Sequence, residues 1–356
     1  MQRLLLILSL LCCAWLAQAQ AVPPPQRWDL FLLRDSSDAD RPTLGFVNLL
    51  SGEVTEVAVQ GSQFGVTTLG VIYLDSDDRT VKLAEADGTI RNHPFIALAP
   101  GDHSIDWIIA ADGARIAWTV ARQLADESLA TTTWLANSDG NQLRELLADR
   151  PRAGIRLRPV AFRPQSEQLI MEAHASEGIE ASPYRLRAGL FALDFAADEV
   201  SSRALPGEQD CYCAFGIGAD AMLRLRQASA GGFAVEVFAL ESSQARLIEA
   251  LPLADYPYAG NLIVSADGSL AVYALSQTAG DTGARTVLAR IDLIAARQEI
   301  ISRPIPALIR PLAFSEDNSA LLFTTASEGG TWKLRLADGT INKVADGVYL
   351  GRMTDR

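Results

Sequence analysis

Side chains equipped for chemistry are sparse in this chain. Its three histidines, His93, His103 and His174, stand far apart, and no H-E-x-x-H or H-x-H pair offers a zinc site. A Ser-His-Asp triad has no fixed spacing, because its members meet only in space. Serines and aspartates scattered around one histidine are therefore a generic opportunity rather than a motif. There is no G-x-S-x-G nucleophile elbow. The run Asp75-Ser76-Asp77-Asp78 clusters carboxylates that suit a hard ion, but it lacks the further spacing of a calcium loop. Cys211 and Cys213 sit two apart. On a strand their Cα atoms would be roughly 6.5–7 Å apart, the long limit for a disulfide. A strained local bond, two buried thiols and a redox or metal role all stay open. A lone C-x-C is a weak metal signal, since four ligands are normally needed. No catalytic residue, metal or cofactor is assigned on these grounds.

What must position any such group is a repeated unit. Its clearest copy is Leu262–Tyr273, LIVSADGSLAVY: an alternating apolar run, a tight Asp267-Gly268 turn and a returning apolar run. The pattern recurs at Trp107–Trp118, Val160–Met171 and Leu312–Phe323, and in a weaker copy ending at Leu225. The turn positions Asp112, Gln165, Ala219, Asp267 and Asp317 step by about 53, 54, 48 and 50 residues, a period expected of a propeller. Later hairpins fall at Gly52, Gly88, Gly140, Asp198, Ser243, Ala296 and Gly339, which predicts seven blades, with six or eight as alternatives. The first unit lacks its inner strand. The apolar stretch Gly347–Met353 is expected to supply it, so that the two chain ends share one sheet and leave no open edge. No sustained 3.6-residue periodicity supports a helix. The expected fold is an all-β propeller of four-stranded antiparallel blades over residues 28–353.

Residues 1–19 read as a secretory signal: Arg3, an apolar run of about 14 residues, then Ala17-Gln18-Ala19, with cleavage after Ala19 or Ala21. That predicts a secreted or periplasmic protein with no membrane span once the signal is removed. Residues 20–27 form a lead-in rich in proline. The formal charge of −12 argues against nucleic acid and anionic membranes as partners, because both need basic patches.

With Ser265–Gly268, Ser315–Asn318 and Ala110–Gly113 as its marks, the chain resembles the TolB-type and WD-like propeller repeats of exported bacterial proteins. The resemblance implies a binding scaffold, since those families are mostly scaffolds and only a minority are enzymes. In each blade, with strands A to D counted outward, the A–B and C–D turns share one end and the B–C and D–A loops the other. Function is expected on the loop-rich end. Its B–C loops carry an acidic bias, as at Asp35, Asp38, Asp40, Asp75, Asp77 and Asp78. Its D–A loops bring Asp102, His103, Tyr212, Asp255, Tyr256 and Tyr258 towards the channel mouth, where aromatic area with polar tips suits a peptide or a sugar. The favoured reading is a non-catalytic module for a protein or peptide partner. The alternatives are a propeller hydrolase or lyase using His103 and nearby carboxylates, and a carbohydrate-binding propeller.

Overall fold

A computed structural model of the chain describes residues 26–33, 42–175, 182–197, 199–207, 213–229, 231–253, 255–279, 283–326 and 329–354. The expected signal at residues 1–19, the acidic loop 34–41, the middle of the fourth B–C loop, Cys211 and Tyr212 lie outside these residues. The fold is a seven-bladed propeller of four-stranded antiparallel sheets, with no helix among the described residues.

Blade 1 contains β1 (Arg27–Leu33), β2 (Thr43–Asn48) and β3 (Val54–Ala58). Blade 2 contains β4 (Gly61–Val66), β5 (Val71–Asp75), β6 (Val81–Ala84) and β7 (Ile90–Asn92). Blade 3 contains β8 (Asp102–Ile109), β9 (Arg115–Gln123), β10 (Ser128–Asn137) and β11 (Arg144–Ala153). Blade 4 contains β12 (Ile155–Phe162), β13 (Gln168–Ala175), β14 (Leu190–Asp194) and β15 (Ser201–Ala204). Blade 5 contains β16 (Phe215–Ile217), β17 (Ala221–Gln227), β18 (Phe233–Ala239) and β19 (Ala245–Ile248). Blade 6 contains β20 (Tyr258–Val264), β21 (Leu270–Ala279), β22 (Gly283–Asp292) and β23 (Arg297–Ile300). Blade 7 contains β24 (Ile309–Phe314), β25 (Ala320–Thr325), β26 (Thr331–Arg335) and β27 (Ile341–Ala345). The last strand, β28 (Val348–Thr354), then returns as the inner strand of blade 1 and pairs antiparallel with β1 in the register Trp28↔Met353 and Leu32↔Val348. The ring is closed as the sequence predicts. Arg352 locks the seam with Nε and Nη2 donating to Asp29 at 2.7 and 3.1 Å.

The Ser-x-Asp turns explain themselves locally. In blade 6 the Asp267 carboxylate accepts from Ser265 Oγ at 2.6 Å and from the Ser269 amide at 3.0 Å, and Gly268 takes a positive φ of 70°. Asp317 repeats this with Ser315 Oγ at 2.7 Å and the Ser319 amide at 3.1 Å. These bonds hold Asp267 and Asp317 at about 2, with the Ser265 and Ser315 hydroxyls as the largest causes.

The apolar cores lie between blades rather than within them. Leu30, Leu44 and Phe46 of blade 1 pack against Val71 and Tyr73 of blade 2, and Leu223 and Val235 of blade 5 pack against Ala271, Tyr273 and Leu275 of blade 6. Outer-strand arginines tie successive blades together at the tight-turn end. Arg144, Arg203 and Arg246 donate to the backbone carbonyls of Phe195, Leu240 and Leu293 on the next blade.

Candidate functional site

The inner strands surround a central channel that forms two merging cavities of about 1050 and 600 Å³. The larger reaches the tight-turn end, where Asp112, Gln165, Ala266 and Asn318 stand at its rim. The loop-rich end is crossed by the chain itself. After β13, residues 184–187 leave blade 4 and pass the lead-in of blade 5, where Arg187 and Cys213 exchange backbone hydrogen bonds of 2.9 and 3.0 Å. Tyr184, 4% exposed, then packs into the core between blades 6 and 7. Gly260 makes room for it, since a Cβ there would lie 2.2 Å from Tyr184 Cβ. Cys213 is disulfide-bonded, to a cysteine outside the described residues.

Arginine dominates the channel wall. Arg156, Arg158, Arg185, Arg187 and Arg352 line the smaller cavity, and Arg115, Arg163 and Arg310 add to the larger one; among the described residues, the carboxylates on the two walls are Asp106, Asp112 and Glu316. The arginines nearer the tight turns are committed. Arg115 pairs with Glu167 at 3.0 Å and Arg163 with Glu241 at 2.8 Å, each bridging to the next blade. Arg352 holds Asp29 and Glu316.

Beneath the crossing segment lies a buried charge cluster on blade 4. Glu172 is 1% exposed and takes Arg158 Nε at 2.6 Å and Arg187 Nη1 at 2.7 Å on one oxygen, with the Ala188 amide at 3.3 Å on the other. Burial pushes its carboxyl up, but the two arginines outweigh burial and hold it below the usual carboxylate range. Arg156 donates to Ser104 Oγ at 2.6 Å and lies 3.4 Å from Asp106. His174, opposite Arg156 in the register, is held below the ordinary histidine value by burial and then by the charge of Arg158. Each of these positions follows from strand alternation: Arg156 and Arg158 on β12, and Glu172 and His174 on β13, point to common faces two residues apart.

The residues expected at the channel mouth are not assembled there. Asp102 binds Arg122 at 3.0 Å and accepts the Ala99 amide at 2.7 Å, so it fastens its own loop to β9. It lines a separate 500 Å³ pocket on blade 3 with Trp118, Trp134 and Phe95. His103 is exposed, and its carbonyl accepts from Arg79 at 2.9 Å. Asp255 is exposed, while Tyr256 and Tyr258 pack against the cores between blades 5 and 6 and blades 6 and 7. Tyr212 lies outside the described residues. The physical reason is that the apolar rings of Tyr256 and Tyr258 are drawn into the cores between blades. The Asp75–Asp78 run is likewise a turn: Asp75 caps the Asp77 amide at 2.9 Å and Asp78 pairs with Lys82 at 2.8 Å. The described residues contain no group of three His, Cys, Asp or Glu able to hold a metal, and no helix among them is long and apolar enough to cross a membrane.

Comparison with known proteins supports the architecture. No protein-family model and no curated protein matches the chain. Among solved structures it is similar to an oligogalacturonate lyase in complex with manganese, at TM-score 0.54 and 12% identity, covering 85% of this chain and 89% of the lyase. It is also similar to a puromycin-hydrolysing peptidase of Mycobacterium tuberculosis, at TM-score 0.55 and 12% identity over 90% of this chain and 54% of the peptidase, so it spans about half of that enzyme's length. TolB from Acinetobacter baumannii matches at TM-score 0.44 and 13% identity, over 77% of this chain and 62% of TolB. At these identities the likeness extends to the propeller fold alone.

Proposed function

We propose that the protein is an exported, non-catalytic binding module whose ligand is anionic and occupies the central channel. The observation that carries this reading is the concentration of arginine on the channel wall of a chain with a formal charge of −12. An acidic protein gains nothing in solubility by gathering cations around a narrow axis. It does gain a site that attracts negative charge away from bulk water, where charge-assisted hydrogen bonds are strong. The ligand is read as an acidic segment of a protein or peptide partner. Isothermal titration with poly-L-glutamate and poly-L-lysine tests it: glutamate polymer is expected to bind and lysine polymer not. Binding of the lysine polymer alone, or equal binding of both, overturns it.

A second reading is an acidic sugar. It is favoured by the lyase neighbour, whose named substrate is a polyanion and whose length this chain nearly spans. Among the described residues the channel presents guanidinium groups and no cluster of histidine and carboxylate able to hold a metal such as that neighbour's manganese. Shortening of polygalacturonate by the purified protein would convert the module into an enzyme. Binding without shortening keeps it a receptor.

A further inference from the structure

The cluster under the crossing segment is one partner short. Glu172 supplies one negative charge to two guanidinium groups, so Arg158 and Arg187 together leave one positive charge in excess. Arg158 is 3% exposed, lines the smaller cavity, and its Nη2 has no hydrogen-bond partner among the described residues. A buried, charged donor without an acceptor is costly, and native structures retain such a group where something else completes it. The other carboxylate on this wall, Asp106, lies 3.4 Å from Arg156 and is paired there, so it does not supply that acceptor. The exposed Arg185 stands on the crossing segment and lines both cavities.

From this polar end the channel widens into a larger chamber, where Val160, Val264, Leu312 and Phe314 add apolar surface among Arg115, Arg163 and Arg310. The chamber reaches the tight-turn end, away from the segment that crosses the opposite mouth. A molecule with one carboxylate at its end and an apolar body matches both halves. The excess positive charge suits an anion, and the planar fork of a guanidinium suits a carboxylate.

We infer that the channel seats the terminal carboxylate of an amphipathic ligand on Arg158 and Arg187, with the apolar body lying in the chamber towards the tight turns. The inference rests on the anion-binding reading above and narrows its ligand. Two sources share this chemistry, the free C-terminus of an apolar peptide and a free alkyl carboxylate.

The test is titration calorimetry on the full chain with four probes: an apolar hexapeptide with a free C-terminus, the same peptide as its C-terminal amide, decanoate, and decanol. The expected result is binding of at least one acid, with its neutral counterpart at least tenfold weaker. Binding of the peptide acid alone assigns a chain terminus, and binding of decanoate alone assigns a free amphiphile; either supports the seat. Arg158→Gln should weaken the acid at least tenfold, but it strips a partner from buried Glu172 and can unfold blade 4. Arg158→Lys retains a positive charge beside Glu172 and removes the spare Nη2, and it should give the same loss with unchanged circular dichroism. Equal binding of acid and neutral probe, or full affinity in Arg158→Lys, overturns the inference. So does failure of every probe. If poly-L-glutamate still binds in that case, the broader anion reading stands while the narrower one falls.

Discussion

At the scale of single residues, the turn aspartates and the buried histidine are both held below their ordinary values, the aspartates by hydrogen bonds to the carboxylate and the histidine by burial. Asp267 accepts hydrogen bonds from Ser265 and Ser269 and sits at about 2. Its carboxyl resonance in a nuclear magnetic resonance titration should therefore stay unprotonated well below pH 4, and Ser265→Ala should move its midpoint upward. No upward movement would mean that the Ser-Asp bond does not set the turn. His93 is buried and accepts the Ile96 amide on Nδ1 at 3.1 Å, and burial first, then Arg91, lowers it to about 4. As pH falls below about 6.5 the unfolded chain takes the proton before the folded chain does. Native stability is then full above that value and declines across the window down to about 4, by up to about 3 kcal/mol. Urea unfolding at pH 7 and pH 4.5 should show this loss, and His93→Gln should reduce it. The turn aspartates were legible in the sequence because their geometry is local. The charge cluster was legible only as two alternations, Arg156 with Arg158 and Glu172 with His174, and nothing local shows that these strands face an axis rather than solvent.

At the scale of elements, the segment from Tyr184 to Arg187 decides which mouth of the channel is open. It is fastened by the Tyr184 side chain, by the backbone bridge to Cys213 and by the bond from Arg187 to Glu172. Gly260 is small because the Tyr184 ring occupies the space that a side chain would need. Gly260→Ala and Tyr184→Ala should both release the segment, and limited trypsin digestion should then cut after Arg185 or Arg187 faster than in the parent chain. Unchanged cleavage would show that the segment is held elsewhere. Sequence reasoning gave this loop no special place, because a tyrosine docking two blades away is a contact at long range with no spacing rule. It also assigned the D–A tyrosines to a binding mouth, although Tyr256 and Tyr258 serve the seams between blades. Aromatic residues in loops carry the same signature in either role. The strand pattern itself was readable, because alternation and turn chemistry both report on the backbone of one blade at a time.

At the scale of the whole molecule, closure and charge set the behaviour. The ring depends on β28 completing blade 1, so ending the chain before Gly347 should expose an edge of β1, lower the cooperativity of unfolding and promote aggregation. A truncated chain that unfolds as one sharp transition at the parent temperature would contradict this. Near the channel and far from it, the protein's field has opposite sign. The outer surface of an acidic protein repels an anion at long range, while the arginines attract it only inside. Association of an anionic ligand should accordingly speed up as salt rises from about 10 to 150 mM, the reverse of ordinary electrostatic steering, and stopped-flow mixing can read it. The period near 50 and the pairing of the chain ends could be read from the sequence because every blade repeats the same local constraint. The channel's polarity could not, because it is a sum over seven inner strands that only the closed ring brings together. The most direct measurement is anomalous diffraction from crystals soaked in bromide. Bromide is expected inside the channel beside Arg158 and Arg187, and bromide found only at arginines on the outer surface would contradict the claim that this channel is built for an anion.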